Sequence, residues 1–191
     1  MTQETRNGDY IRTRSGRHFY PIDPRVDDFY LEDVAHSLSQ VNRSCGHTER
    51  PYSVGQHSVL ISWILEDMGY DERTQFIGLT HDISEYVLND IPSPLKAFLP
   101  DYAVIEKRVQ DLAYMWAGLG EVTEEEYAAV HRIDKALFPL EANCLLNTEE
   151  EVPDEIKQFE RWLVPNLESP WGPELTKEQF LKRFHELSAF L

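Results

Sequence analysis

The chain contains only two cysteines, Cys45 and Cys144, and neither belongs to a C-x-x-C pair. Two such residues do not make a disulfide framework, and we expect both to be free thiols. The sequence also lacks any run of about 18 apolar residues, and its N-terminus is polar, so neither a membrane span nor a signal peptide is predicted. We therefore expect a cytoplasmic protein without a membrane partner.

Positive charge is scarce as well, since 18 Lys and Arg residues stand against 34 Asp and Glu residues and leave a net charge of -16. A surface of this sign repels polyanions, so the composition argues against a nucleic-acid polymer as partner. A small anionic substrate stays compatible with this composition if a metal ion and a few local cations receive its charge.

The sequence does contain a helical pattern of apolar residues. Apolar positions recur at helical spacing without β-rich alternation or internal repeats, so we predict an all-α fold. At 191 residues and 41% hydrophobic content, we expect one domain over residues 1–191, with an N-terminal arm of strand potential (1–30), a core (31–146) and C-terminal helices (147–191). The expected helices cover residues 31–42, 53–68, 71–88, 94–99, 101–117, 124–146, 154–164 and 176–191.

Capping residues mark several of these helix starts. Ser53 and Asp71 are the expected N-caps of the second and third helices. Thr123, with Glu126 three residues on, forms a capping-box pattern, and Thr176 is expected to start the last helix in the same way.

The stretch HDISEYVLND, residues 81–90, concentrates groups that bind divalent metals and transfer protons among apolar residues at helical spacing. Burying such charges is costly unless something pairs with them. Two other polar residues fall on predicted apolar helix faces. His57 lies on the inward face of the second helix, and Asp134 shares a face with Leu137 and Phe138.

Together, His57, His81, Asp82 and Asp134 place two imidazoles and two carboxylates on three predicted helices. Four such ligands can make a mixed nitrogen and oxygen site that leaves coordination positions open for water and a phosphate oxygen. This ligand set suits Mn, Fe, Co, Ni or Zn better than calcium.

Purely structural roles for these residues stay open at this point. A single histidine on an apolar face is more often a hydrogen-bonded core residue than a ligand. Asp82 and Asp134 can instead form ion pairs with Arg73, Arg108 or Arg132.

The same residues resemble the H…HD…D pattern of the HD-domain metal-dependent phosphohydrolases. The resemblance rests on His57 in YSVGQHS, the His81-Asp82 doublet followed by SEYVLNDIPSPLK, and Asp134 in HRIDKALFPLE, and it covers most of residues 31–146. Within that superfamily, the segment HDxSExxxxDxPxPxK is similar to small nucleotidases such as the bacterial 5'-deoxynucleotidases, the phage dATP triphosphohydrolases and the oxetanocin-type nucleotide phosphohydrolases.

The resemblance implies a role for each matching residue. The implied metal ligands are His57, His81, Asp82 and Asp134.

Around these ligands, Glu85 is expected to orient the attacking water or help hold a second ion, and Asp90 to serve the leaving group as an acid. Arg43 and Lys96 are expected to hold phosphate oxygens, with a surface salt bridge as the alternative for Arg43, and His47 is a candidate substrate contact.

The resemblance therefore implies a metal-dependent phosphohydrolase that removes phosphate or triphosphate from a (deoxy)nucleotide, with a deoxyadenosine-type mono- or triphosphate as the expected substrate. The expected cofactor is Co, Mn, Fe, Ni or Zn, with Mg as a candidate second ion, and the expected assembly is a homo-oligomer. Two alternatives stay open: hydrolysis of a signalling nucleotide, such as a guanosine polyphosphate or a cyclic dinucleotide, and a non-catalytic nucleotide sensor.

Overall fold

A computed structural model describes residues 5–191, and residues 1–4 of the predicted arm lie outside that range. The described chain is mostly helical, in agreement with the all-α prediction. The helices are α1 (Leu31–Leu38), α2 (Val54–Asp67), α3 (Glu72–Thr80), α4 (Glu85–Leu88), α5 (Ser93–Lys96), α6 (Pro100–Trp116), α7 (Glu124–Leu145), α8 (Asp154–Lys157), α9 (Glu160–Glu168) and α10 (Pro173–Ser188). None of the helices within residues 5–191 is long and apolar enough to cross a membrane.

Two short strands lie in the N-terminal arm, where the sequence predicts strand potential. Strands β1 (Ile11–Arg12) and β2 (His18–Phe19) pair antiparallel. Phe19 is fully buried, and its ring packs edge-on against Phe29 and Tyr86. The arm is therefore anchored to the helical core rather than solvated along its whole length.

The centre of the fold is α2, which is buried on nearly all sides. It packs most extensively against α3, and also against α7 and α10. Gly78 on α3 permits the close approach to α2, because a Cβ at this position would collide with the side chain of Leu65. A helix enclosed in this way must satisfy its polar side chains from its neighbours.

The predicted helix caps are confirmed at three starts. The side chain of Ser53 accepts a hydrogen bond from the Gln56 amide, and Asp71 caps α3 in the same manner. Thr123 and Glu126 form the reciprocal capping box of α7. The last helix differs, because α10 begins at Pro173 after Gly172, and Thr176 lies buried inside its first turns. Proline suits a first helical position, where its missing N–H costs nothing.

Two other predicted boundaries are wrong. The first helix ends at Leu38 rather than near residue 42, since the Ser39 hydroxyl bonds the His36 carbonyl and the chain then extends to form a β-bridge between Asn42 and Ser53. The segment 154–164 is not one helix, because a turn separates α8 from α9. The extended stretch after α1 leads directly into Arg43.

Candidate metal centre

The end of α3 shapes the candidate site. In a continuous helix, the N–H of Ser84 would donate to the carbonyl of Thr80. Gln110 of α6 takes both places: its Nε2 donates to Thr80 O at 2.8 Å, and its Oε1 accepts from Ser84 N at 3.0 Å. The prediction of a single helix through this stretch is therefore wrong. His81 and Asp82 lie in the turn that the break creates.

Two histidine rings face each other beside this turn. The ring centroids of His57 and His81 are 5.3 Å apart. Nδ1 of His57 lies 2.7 Å from Oε1 of Glu141, and Nδ1 of His81 lies 2.7 Å from the carbonyl oxygen of Gly78. Because both partners are acceptors, each Nδ1 carries the proton and donates. In the neutral form of each ring, the lone pair is therefore on Nε2.

Two carboxylates complete the cluster. Oδ2 of Asp82 is 3.1 Å from Nε2 of His81, and Oδ1 of Asp134 is 3.1 Å from Nε2 of His57. Ligand atoms of His57, His81 and Asp82 all lie within 4.8 Å of one another, a spacing compatible with one shared metal ion. Asp134, on α7, lies outside this group of three and adjoins it through its contact with His57.

The donor atoms of this cluster fit a metal ion. Nε2 of His57 and Nε2 of His81 are buried, and neither has a hydrogen-bonding partner in residues 5–191 despite the nearby carboxylates. Buried polar atoms normally form hydrogen bonds, whereas each of these nitrogens has only an ion-pair contact with a carboxylate oxygen at 3.1 Å. A metal-bound histidine usually donates its other N–H to a carboxylate or a backbone carbonyl, which is the arrangement of both rings. Two imidazole nitrogens and two carboxylates are also a suitable donor set for a transition metal.

Charges within the cluster shift its pKa values in opposite directions. Burial and Arg43 both lower the pKa of His57, but Glu141 and Asp134 outweigh them and raise it to about 9. Burial alone would raise the pKa of Asp82, yet the two histidines and Arg43 lower it to about 2. The pKa of Asp134 is lowered against its burial by the same neighbours. Both carboxylates are thus ionised at neutral pH, as metal ligands must be, whereas His57 is protonated and would have to release its Nε2 proton to bind a metal.

Glu141 is a site residue that the sequence analysis missed. It is 4% exposed, and its Oε1 accepts hydrogen bonds at 2.7 Å from both His57 and the hydroxyl of Tyr52. It stands seven residues after Asp134, two helical turns along the same face of α7. A second carboxylate at this spacing among buried apolar residues was the available signal.

Arg43 is largely buried in the cluster, which rules out the surface salt bridge. Its guanidinium lies 3.5 Å from Asp82 and from Glu141, and 3.8 Å from Asp134. These distances are long for charge-assisted hydrogen bonds, which are typically 2.7–2.9 Å. Arg43 therefore offsets the negative charge of the cluster without being locked to any one carboxylate.

The other arginines considered as partners for Asp82 and Asp134 are engaged elsewhere. Arg73 pairs with Glu126 at 2.6 Å, and Arg132 pairs with Glu155. Arg108 donates to the carbonyl of Ile22. Within the described residues, the alternative in which these arginines neutralise the two aspartates is excluded.

Glu85, on the first turn of α4, is 4% exposed. Its Oε1 is 3.7 Å from Nζ of Lys96, which also pairs with Glu106 at 2.6 Å, and its Oε2 has no hydrogen-bonding partner in residues 5–191. Burial and then the charges of Asp82 and Asp90 raise the pKa of Glu85 well above its ordinary value. Asp90 is near enough to act on Glu85, although its side chain forms no hydrogen bond or ion pair with any other described residue.

His47 and Phe138 lie in surroundings that differ from those expected. The His47 side chain is exposed, and no ion pair or ring contact joins it to the cluster within residues 5–191, so its role as a substrate contact stays a prediction. Phe138 was expected to point inward with Leu137, but it is 44% exposed. It lies one helical turn beyond Asp134, on the exposed part of the α7 face.

Comparison with known proteins finds similar chains and no matching family model. The chain is 39% identical to the uncharacterized protein YfdR of Escherichia coli over 121 residues, which span 62% of this chain and 65% of YfdR, slightly less than two thirds of its length. It is 32% identical to the uncharacterized protein RCAP_rcc00048 of Rhodobacter capsulatus over 151 residues, which span 76% of this chain and 77% of that protein.

Proposed function

We propose that this chain, which belongs to the same family as RCAP_rcc00048, is a metal-dependent phosphohydrolase of the HD-domain type that removes phosphate or triphosphate from a (deoxy)nucleotide. One observation carries the proposal: the two buried, unpaired Nε2 atoms of His57 and His81 converge with Asp82 and Asp134. The resemblance of the motif order to HD-domain phosphohydrolases supplies the reaction class.

The proposed ligands of the metal are His57, His81, Asp82 and Asp134. A transition metal held there would lower the pKa of a bound water toward neutrality and offset charge on phosphoryl oxygens. Mn, Co, Fe, Ni and Zn all suit the donor set.

Arg43 and Lys96 would bind the phosphoryl oxygens of the substrate. Arg43 keeps donors available, because each of its carboxylate partners lies at 3.5 Å or more. Lys96 lies beside the site, with its Nζ 3.7 Å from Glu85 and 2.6 Å from Glu106. In a chain with a net charge of -16, these two cations give an anionic substrate a local binding position.

Glu85 would act as a proton acceptor or donor in the reaction. Its unpaired Oε2 is buried next to the cluster, where it can orient the attacking water by accepting or donating a hydrogen bond. Asp90, whose charge acts on Glu85, would protonate the departing oxygen. Attack at the phosphorus of a monophosphate releases nucleoside and phosphate, and attack at the α-phosphorus of a triphosphate releases nucleoside and triphosphate.

The test is a nucleotide panel assayed with purified protein and added Mn²⁺ or Co²⁺. The panel contains deoxynucleoside and nucleoside mono- and triphosphates, a guanosine polyphosphate and a cyclic dinucleotide, and the products are separated by ion-exchange chromatography. We expect phosphate or triphosphate from at least one deoxynucleotide and no product from an Asp82→Asn variant. If wild-type protein releases no phosphate, pyrophosphate or triphosphate from any nucleotide, the proposed function is wrong.

A further inference from the structure

The face of α7 that carries Asp134 continues as an exposed aromatic surface. Tyr127, His131, Asp134 and Phe138 follow one another at intervals of four, three and four residues, so they lie on one side of the helix. The rings of Tyr127 and His131 are stacked, with centroids 5.5 Å apart and an angle of 21° between their planes. Tyr127 is nevertheless 54% exposed, so the pair presents ring surface to solvent.

This pair borders the candidate metal centre directly. Nδ1 of His131 is 3.7 Å from Oδ2 of Asp134. Partial burial raises the pKa of Tyr127, and the negative charges of Asp82 and Asp134 raise it further. Glu106, the partner of Lys96, also acts on Tyr127. His131 therefore lies within 3.7 Å of the proposed ligand Asp134, and the exposed Tyr127 ring lies one helical turn before His131 on α7.

We propose that the Tyr127–His131 ring pair stacks against the base of the substrate nucleotide while its phosphate sits at the metal centre. The inference rests on the proposed function and assigns the side chains that hold the base of the nucleotide. Base-aromatic stacking tolerates different bases, because every base has a π-face. The pair therefore favours nucleotides over sugar or alkyl phosphates without selecting one base.

The test compares two ligands that differ only in the base. The probes are the methylenephosphonate analogues of deoxyadenosine 5'-phosphate and of 2-deoxyribose 5-phosphate, whose P–C bond resists hydrolysis, and their dissociation constants are measured by calorimetry on Mn²⁺-loaded protein. We expect Tyr127→Ala to weaken binding of the nucleoside analogue roughly tenfold and to leave the sugar analogue unchanged. Tyr127→Phe keeps the ring and is expected to bind both probes like the wild type.

Phe138→Ala provides the matched control, because Phe138 is an exposed aromatic residue on the other side of Asp134, beside Arg43. If only Phe138→Ala weakens the nucleoside analogue, the base lies on the Arg43 side and the inference is wrong. It is equally wrong if wild-type protein binds both probes alike, or if Tyr127→Ala weakens both by the same factor. If binding depends on Tyr127 but no nucleotide is hydrolysed, the stacking surface stands and the proposed function fails.

Discussion

Two buried polar clusters flank the α2–α3 pair, and they differ in how completely their atoms are paired. In the first, the Arg183 network, the guanidinium of α10 donates to Oγ of Ser62 at 2.9 Å and to Oε1 of Gln75 at 2.7 Å, and pairs with Glu66 at 3.1 Å. No atom of these four residues is among the buried unpaired atoms of residues 5–191. In the candidate metal centre, by contrast, the buried Nε2 atoms of His57 and His81 form no hydrogen bond within residues 5–191.

The difference separates a structural role from a functional one. A buried cation whose donors all have partners fixes the packing of three helices and leaves nothing for a ligand to bind. A cluster with unpaired nitrogens is incomplete until something binds to it, and every unpaired buried group lowers the stability of the ligand-free protein. Removing a residue of the candidate metal centre should therefore weaken ligand binding. Removing a residue of the Arg183 network should lower the free energy of unfolding.

The largest expected effect is loss of metal binding in His81→Ala. This variant removes one imidazole ligand and the hydrogen bond from His81 to the Gly78 carbonyl. We expect the affinity for Mn²⁺ to fall by roughly 100-fold or more, with a loss of about 1 kcal/mol in the free energy of unfolding. Equilibrium dialysis and urea denaturation measure the two quantities. His185→Ala, at an exposed histidine of α10, is the control and should change neither. Unchanged metal affinity in His81→Ala would show that the unpaired nitrogens have another purpose.

Arg183→Leu should lower the stability of the protein and leave its metal affinity unchanged. It leaves Gln75 Oε1 and the Ser62 hydroxyl buried without their main partner, so we expect the free energy of unfolding to fall by about 2–4 kcal/mol. Metal affinity, measured where the variant is fully folded, should equal that of the wild type. If Arg183→Leu weakens metal binding under those conditions, the two clusters are coupled through α2 and the comparison fails.

Local signals in the sequence predicted the helix starts well. Ser53, Asp71 and Thr123 act on backbone amides only three residues away, so their capping role is visible in a short stretch. The four proposed ligands were also detectable, because each is a polar residue of metal-binding type at a position where the helical pattern calls for an apolar one. Their convergence agrees with the predicted pattern, whereas their catalytic roles stay predictions.

The features that escaped prediction depend on partners distant in sequence. The break after α3 is held by Gln110, which lies 26 residues from Ser84. The partner that fixes the His57 tautomer is Glu141, 84 residues away. Gln110 does not look unusual in its own helix, and the spacing of Glu141 from Asp134 does not reveal its partner, since only the packing of α6 and α7 against α3 and α2 brings the two residues into place.

Glu141→Gln tests whether the carboxylate that orients the His57 ring also strengthens metal binding at Nε2 of His57. The amide oxygen of Gln can still accept from Nδ1, but the negative charge is lost, so we expect Mn²⁺ affinity to fall about tenfold. Glu141→Leu removes the acceptor altogether and should cost about 100-fold. Titration with Mn²⁺ followed by electron paramagnetic resonance measures both. Equal affinity in all three proteins would mean that packing alone orients the His57 ring.

The smallest expected effect lies in an exposed cluster, the pair of Glu126 and Arg73, whose bonds compete with water. Hydrogen bonds from Arg73 and from the Thr123 cap lower the pKa of Glu126 to about 2, from an ordinary value of 4.5. Because the folded-state pKa is lower than the unfolded one, this pair stabilises the protein above about pH 4.5 and loses that contribution as the pH falls toward 2. Both partners are partly exposed and screened, so we expect only about 1 kcal/mol. In Glu126→Gln, urea denaturation at neutral pH should show that loss, and the difference from the wild type should vanish near pH 2. A difference that persists at pH 2 would assign the effect to packing of the side chain rather than to its charge.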